Sequence, residues 1–400
     1  SGAWGVKGRS AHHPSAGWRW APAGANHQME QAARSWRMSA VGWDEFDHVC
    51  MARALELAEQ GQGQVSPNPP VGCVLARDGE VIAEGWHDHL GDLHAEQAAI
   101  ADAEANGIPT QGATAYVTLE PCNHHGRTPP CTEALLWAGV GKVVIAAEDG
   151  NPTVRGGGVD YLRNAGIDVR QGLMEAEARQ QMAPFMRWCE RRRPLVTMKA
   201  AIDRNGRVDS EHEAPGRFTS EESLDAVHEL RRRCDAVVVG VNTVIRDNPQ
   251  LTVRRVPLGE GKQPLRIILD RGLRTPTDCN LVSDAGETVI FHSVGESSGL
   301  QAEVVCLHSH LGSSEEGVDL VQLLDMLGDR GIQRLMVEGG PDVWCRFLDA
   351  GLVDEVYLFK ADVDLGEGLD GGINAERLNH AGLTLAEETE CGDDTLQIWR

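Results

Sequence analysis

The sequence lacks a long hydrophobic run: nowhere in its 400 residues is there a stretch approaching the roughly 18 apolar side chains of a membrane-crossing helix. It also lacks an excess of positive charge. Lys and Arg number 37 against 60 Asp and Glu, for a formal net charge of −23. So acidic a chain repels polyanions, which argues against binding to nucleic acid while leaving room for a local basic pocket around one phosphate. The ten cysteines are scattered through mostly apolar segments and do not form the dense pattern of a disulfide-stapled domain. Free thiols in a reducing, cytoplasmic setting are the expectation. No internal repeat is evident.

What is present suits two ordinary domains. The hydrophobic share of 41% is enough for packed cores, and the length exceeds that of a typical single domain. Residues 1–37 differ from the rest, with Lys7, Arg9, Arg19, Arg34 and Arg37 against the single acid Glu30, and Trp at 4, 18, 20 and 36. No apolar core of a secretory signal follows. A disordered extension ahead of Met38 is expected, with an organelle-targeting role left open.

From there strands and helices alternate, which indicates α/β layers. Asp44 is placed to cap a helix to about Gln60, with Phe46, Val49, Ala52 and Leu55 on one face. Strands over 71–76 and 81–85 flank an Asp78-Gly79 turn. A helix from His94, a strand over 113–119, a helix from Cys131 and a strand over 142–146 follow. The charged stretch 187–194, ending at Pro194, is expected to link a domain over 38–186 to a second over 195–400. The second alternation has strands near 195–200, 236–240, 265–269, 288–292, 304–307, 332–337, 356–360 and 395–399, and helices near 221–233 and 318–329.

The chemistry concentrates in the first half. His94-Ala95-Glu96 opens a helix, and Pro121-Cys122 ends an apolar strand ahead of Cys131. One imidazole and two thiolates make a three-ligand zinc site whose fourth position is left for water. Glu96 is two residues from the histidine, suited to moving protons without binding metal. The recurring pattern of zinc deaminases is H-x-E followed by P-C-x-x-C; here eight residues separate the two cysteines. Taken singly, His94 is an ordinary helix-start histidine, Glu96 a first-turn acid and each cysteine a small buried hydrophobe. Their order and placement at element boundaries favour the metal site. His124 and His125 stand as alternative ligands.

With these residues in view, the segments Ser66–Gly72 (SPNPPVG), His94–Glu96 (HAE) and Thr118–Cys131 (TLEPCNHHGRTPPC) resemble the bifunctional deaminase/reductase family of riboflavin biosynthesis, over about residues 38–400. The resemblance implies a cytidine-deaminase-like three-layer domain followed by a dihydrofolate-reductase-like domain. It implies zinc and NADPH as cofactors, and a small-molecule substrate, 2,5-diamino-6-(5-phosphoribosylamino)pyrimidin-4-one, deaminated at ring position 2 and then reduced from ribosyl to ribityl. By carry-over, Asn68 contacts the substrate in the first site; Arg231, Leu251, Arg254 and Glu338 hold it in the second; Lys199, Thr243, Asp247, Gly339 and Gly340 contact the dinucleotide. Arg231 and Arg254 suit a phosphate through the guanidinium fork.

The chain departs from the family at 199–206, where Asp203 and Asn205 stand at positions of Ser and Asp, and where Pro215 and Arg217 replace a following Ser and Trp, with Thr219 kept. These changes are expected to alter charge where cofactor and substrate meet, so a deaminase-only enzyme is the alternative. A base-flipping RNA editor would need a basic groove, and a structural zinc module would leave Glu96 without a task. A homo-oligomer is expected, with no nucleic-acid or membrane partner.

Overall fold

The computed structural model describes residues 42–124, 129–152, 154–210, 216–294, 299–307 and 317–400. The expectations for residues 1–37, His125 and Pro215 lie outside the described residues. Among those described, no helix is long and apolar enough to cross a membrane.

The first layer structure runs α1 (Glu45–Gln60), β1 (Gly72–Arg77), β2 (Glu80–Trp86), α2 (Ala95–Ala105), β3 (Thr114–Leu119), α3 (Cys131–Trp137), β4 (Lys142–Ala147), α4 (Gly157–Asn164), β5 (Asp168–Gln171), α5 (Glu175–Gln181) and α6 (Ala183–Arg191). The five strands form one sheet in the order β2-β1-β3-β4-β5. β1 runs antiparallel to both neighbours, and β3, β4 and β5 are parallel. Helices cover both faces, so the strands bury alternate residues in two cores. Val74, Tyr116 and Val144 pack toward α1, α5 and α6. Cys73, Val117 and Val143 pack toward α2, α3 and α4. A fully covered parallel sheet reads as continuous apolar sequence, as here.

Asp44 caps α1 as expected, accepting from Asp47 N while the Asp47 carboxylate accepts from Asp44 N. The face buried is only partly the expected one: Phe46 and Leu55 pack half-buried against the core. Asp47, Cys50, Met51, Ala54, Leu57 and Ala58 turn inward, and Val49 is exposed. The buried Asp47 accounts for the difference: its carboxylate accepts from the Tyr116 hydroxyl at 2.7 Å and lies 3.8 Å from Lys142 Nζ. A satisfied acid joins the core side, so the apolar stripe read from the sequence was rotated.

The second layer structure comprises β6 (Leu195–Ile202), β7 (Arg207–Ser210), α7 (Glu221–Arg232), β8 (Ala236–Gly240), α8 (Val241–Asp247), β9 (Leu265–Leu269), α9 (Asn280–Ser283), β10 (Thr288–His292), β11 (Glu303–Cys306), α10 (Leu320–Asp329), β12 (Arg334–Val337), α11 (Pro341–Asp349), β13 (Glu355–Lys360), β14 (Gly368–Asp370), α12 (Ala375–His380), β15 (Leu385–Cys391) and β16 (Asp394–Trp399). Among the described residues nine strands form a sheet ordered β11-β10-β9-β8-β12-β6-β13-β16-β15, and β7 pairs with β14 apart from it. The seven strands from β11 to β13 are parallel, and β16 and β15 add antiparallel edges.

Residues 187–191 of the expected linker are the end of α6. Only three residues separate that helix from β6, and the Trp188 indole N–H donates to Gly328 O at 2.8 Å in the second layer structure. The charges that suggested a linker instead decorate an amphipathic helix.

Candidate active sites

The first site forms where α2, α3 and the end of β3 meet. His94 is the N-cap residue of α2, and Cys131 is the first residue of α3. Cys122 follows β3, and its carbonyl accepts from Thr132 N. These boundaries bring three separate segments to one point. His94 Nδ1 lies 3.6 Å from Cys122 Sγ and 3.3 Å from Cys131 Sγ, and all three donor atoms fall within 4.8 Å of one another. Zinc–nitrogen and zinc–sulfur bonds of ordinary length, spread tetrahedrally, would set each N···S edge at about 3.6 Å. The donor set therefore fits zinc in chemistry and spacing. His124, although described, is not in this cluster.

Glu96 lies in the first turn of α2 and is almost completely buried. Burial, reinforced by Cys122, pushes its carboxyl up to about 7, and its side chain meets Cys131. Cys122 is held down to about 4 by hydrogen bonds from Cys131 and His94, against its burial. A thiolate is thus favoured where a metal ligand is needed.

Asn68 faces the same site from the loop between α1 and β1. Its Nδ2 is 3.1 Å from His87 Nε2, while His87 Nδ1 is 2.9 Å from Leu93 O. Burial lowers the His87 pKa, so the ring is neutral, donates through Nδ1 to Leu93 O and accepts from Asn68 through Nε2. That bond turns Asn68 Oδ1 away from His87. The His87 ring also meets the His94 ring edge-on, with centroids 5.2 Å apart. Sequence reasoning missed His87: its only local signal is a histidine directly after a strand.

Behind the cysteine turn, Glu120 is buried and spends both carboxylate oxygens on backbone amides. Oε2 accepts from Asp149 and Gly156, and Oε1 from Gly158 and Val159. Glu120 therefore ties the turn bearing Cys122 to the N-terminus of α4. A second trio, Asp88, His89 and Asp92, sits on a surface loop and includes an exposed residue.

The second site is set by topology. After β8 the chain passes through α8 to β9 on one side; after β12 it passes through α11 toward β13 on the other. Loops that diverge in this way open a crevice at the carboxyl ends of the two strands. A cavity of about 1100 Å³ lies there. Lys199, Arg217, Arg231, Thr243, Asp247, Leu251, Arg254, Glu338 and Gly340 all line it. Gly339 does not. It lies against β8, where a Cβ would come within 2.5 Å of Val239 Cα, so its role is the close approach of two strands. Gly340, with φ +54°, is the N-cap of α11.

The expectation that Arg231 forks a phosphate meets a different geometry. Its Nε and Nη2 donate to the two Glu338 oxygens at 2.7 and 2.9 Å, and Nη1 donates to Thr252 O at 2.7 Å. The pair is buried beside Lys199, whose pKa burial lowers. Arg231 therefore fixes Glu338 and the 251–254 segment, and Arg254 and Arg217 line the same cavity. Leu251 adopts φ +55°, a strained backbone for a branched residue. His228 holds this segment too, its Nδ1 accepting from Arg254 N at 3.1 Å.

The departure at Asp203 also resolves. Its Oδ1 accepts from Asn205 N and Arg207 N, and its Oδ2 from Leu365 N. Neither Asp203 nor Asn205 belongs to the described cavity wall. Asp203 stabilises its own turn, and the expected change of charge at the meeting point of cofactor and substrate does not arise from these two residues. Thr219 is likewise not on the described wall.

Comparison with known proteins covers both layer structures. The model of the cytidine and deoxycytidylate deaminase zinc-binding region matches residues 44–147, and that of the RibD C-terminal domain matches residues 194–396. The riboflavin biosynthesis protein RibD of Aquifex aeolicus is 40% identical over 336 residues, covering 82% of this chain and 90% of its own. The chain belongs to the RibD family.

The Escherichia coli K12 member is 39% identical over 338 residues, covering 81% of this chain and 90% of its own. A solved structure of a diaminohydroxyphosphoribosylaminopyrimidine deaminase/5-amino-6-(5-phosphoribosylamino)uracil reductase from Thermotoga maritima is 34% identical, with TM-score 0.78, covering 89% of this chain and 98% of that one. The chain is an enzyme of riboflavin biosynthesis with a deaminase and a reductase activity. Nothing in these comparisons favours a deaminase-only enzyme. Its fold is a cytidine-deaminase-like domain followed by a RibD-type reductase domain, and its cofactors are zinc and NADPH. The crevice fits a dinucleotide: it has the volume, a helix N-terminus at Gly340 and Thr243 beside it, where a Gly340 Cβ would lie 3.0 Å from the hydroxyl.

Proposed function

We propose that the first site deaminates 2,5-diamino-6-(5-phosphoribosylamino)pyrimidin-4-one and that the second reduces the ribosyl group of the product to ribityl. What supports the first step is the convergence of His94, Cys122 and Cys131 with Glu96 buried beside them. His94, Cys122 and Cys131 would hold zinc, which supplies an acidified water for attack on the ring carbon. Glu96 would accept one proton of that water and pass it to the ring nitrogen, then carry the second, from the added hydroxyl, to the departing amine. Asn68, oriented by His87, hydrogen-bonds the ring or sugar. Elimination of ammonia leaves the carbonyl of the uracil product.

In the second site, Arg254 and Arg217 take the substrate phosphate, and Leu251 and the Arg231–Glu338 pair shape the sugar pocket. Thr243, Asp247, Lys199, Gly340 and, through strand packing, Gly339 form the dinucleotide side, where NADPH supplies the hydride. Burial and the nearby Asp209 raise the Asp247 pKa. Residues 38–186 and 195–400 are the two functional units on this reading. Ten free thiols fit a reducing, cytoplasmic compartment. A homo-oligomer accompanies it, favoured by apolar side chains left exposed such as Trp137; sedimentation of the pure protein tests that.

The deciding experiment incubates the protein with the diamino substrate, with and without NADPH, and identifies products by mass. The expected result is the amino-uracil alone without NADPH and its ribityl form with it. Deamination followed by no NADPH oxidation would reject the second half of the reading.

A further inference from the structure

The loop that carries Asn68, residues 61–68 between α1 and β1, is gripped from two sides. Its own domain contributes Leu90 N to Gln64 O at 3.1 Å, and the Asn68–His87 contact. Gln62 Nε2 also donates to Gln181 O of its own domain at 3.0 Å, and further anchors come from the reductase domain. Arg232 Nη1 donates to Gln62 O at 2.9 Å, and Gln333 Nε2 donates to Pro67 O at 2.6 Å. Ser66 meets the Asp235 carboxylate, and Glu260 N donates to Gln64 Oε1 at 3.1 Å. Gly63 has φ +75°, and a Cβ there would come within 2.0 Å of Arg232 O. The two backbones therefore touch with no side chain between them.

The anchors are themselves rigid. Gln333 is buried; its N–H donates to Asp235 Oδ2 at 2.8 Å, and its carbonyl accepts from Leu195 N at 2.8 Å. Arg232 is held by Glu229 through Nε and Nη2 at 2.9 and 2.7 Å. A pocket residue is placed as accurately as the group supporting it, and the carbonyl that Gln333 grips belongs to the residue directly before Asn68.

We propose that the reductase domain positions the deaminase pocket, with Gln333 as the positioning residue for Asn68 and Arg232 as the second anchor. This rests on the reading that Asn68 contacts the deaminase substrate. Gln333 touches neither reacting group. It acts by fixing where the Pro67 carbonyl, and so the Asn68 side chain, sits relative to the zinc ligands.

The test uses the full zinc-loaded chain. Gln333→Glu keeps the shape and replaces the donor with an oxygen facing Pro67 O. Loss of one such bond predicts a deaminase KM about three- to tenfold higher, with kcat within about twofold. Zinc content, and reductase KM and kcat measured on the deaminated substrate, stay at wild-type values. Arg232→Lys keeps the charge beside Glu229 and shortens the reach to Gln62 O; the same KM rise, smaller, is expected. It stands in should Gln333→Glu fail to fold, which loss of reductase activity would reveal. Asn68→Ala is the reference and raises KM at least as much. A wild-type deaminase KM in the folded anchor variants, with KM raised in Asn68→Ala, overturns the inference and spares the Asn68 reading. A wild-type KM in Asn68→Ala removes Asn68 from the pocket and takes the inference with it.

Discussion

At the scale of single residues, the deaminase makes the sharper demand. Glu96→Gln keeps the volume and removes the base. Deamination should fall by about two to four orders of magnitude, while metal analysis still finds one zinc and NADPH oxidation on the deaminated substrate is unchanged. In the reductase site the buried Arg231–Glu338 pair carries the prediction. Arg231→Leu leaves a carboxylate buried without its partner, which costs about 3–5 kcal/mol; urea unfolding should show it, and adding Glu338→Leu should recover part of the loss. The contrast explains what sequence could disclose. His94, Glu96, Cys122 and Cys131 are bound by short spacings and element boundaries, so their convergence was legible. Arg231 and Glu338 are 107 residues apart, and nothing local marks them as partners. Asp203 misled for a related reason: a carboxylate looks like a change of charge in a pocket until its three backbone donors are seen.

At the scale of elements, α2 must lie close on β2 to present Glu96, and Gly85 permits it. A Cβ at that position would lie 2.2 Å from Ala99 N and 2.6 Å from Ala95 O. Gly85→Val should push α2 outward, lowering bound zinc and deaminase activity in parallel while the reductase continues. The 251–254 segment gives a pH prediction. Burial, with Arg231 and Arg254 nearby, drops the His228 pKa to about 4, against an ordinary value near 6.5. Between those values the unfolded chain binds a proton that the folded chain refuses, so this contribution to stability is full above about 6.5 and lost as pH falls to about 4. Urea midpoints at pH 7, 5.5 and 4.5 should decline accordingly, and His228→Asn should flatten that part of the slope. Most strands and helices were legible because covered parallel strands are continuous apolar runs with glycine at their ends. The short β7 and β14 and the polar edge strand β15 were not, since four, three and seven residues with few buried side chains carry no periodic signal. The inward face of α1 was only partly legible because a buried, hydrogen-bonded Asp47 counts as polar in any sequence pattern.

At the scale of the whole molecule, two chemistries share one chain but not one cofactor. Stripping zinc with a chelator should abolish ammonia release and leave NADPH oxidation on the deaminated substrate intact, a separation read in paired spectrophotometric assays. Mechanical separation is another matter. β12 is only four residues long, with Gln333 immediately before it and Glu338 immediately after it. One end holds the loop of Asn68, and the other stands in the reductase crevice. The strand is therefore answerable to two reactions at once. In a riboflavin-requiring host, a lesion in this stretch of the gene's second half should resist rescue by a separately supplied reductase polypeptide alone, because the deaminase encoded upstream would be starved of its support as well.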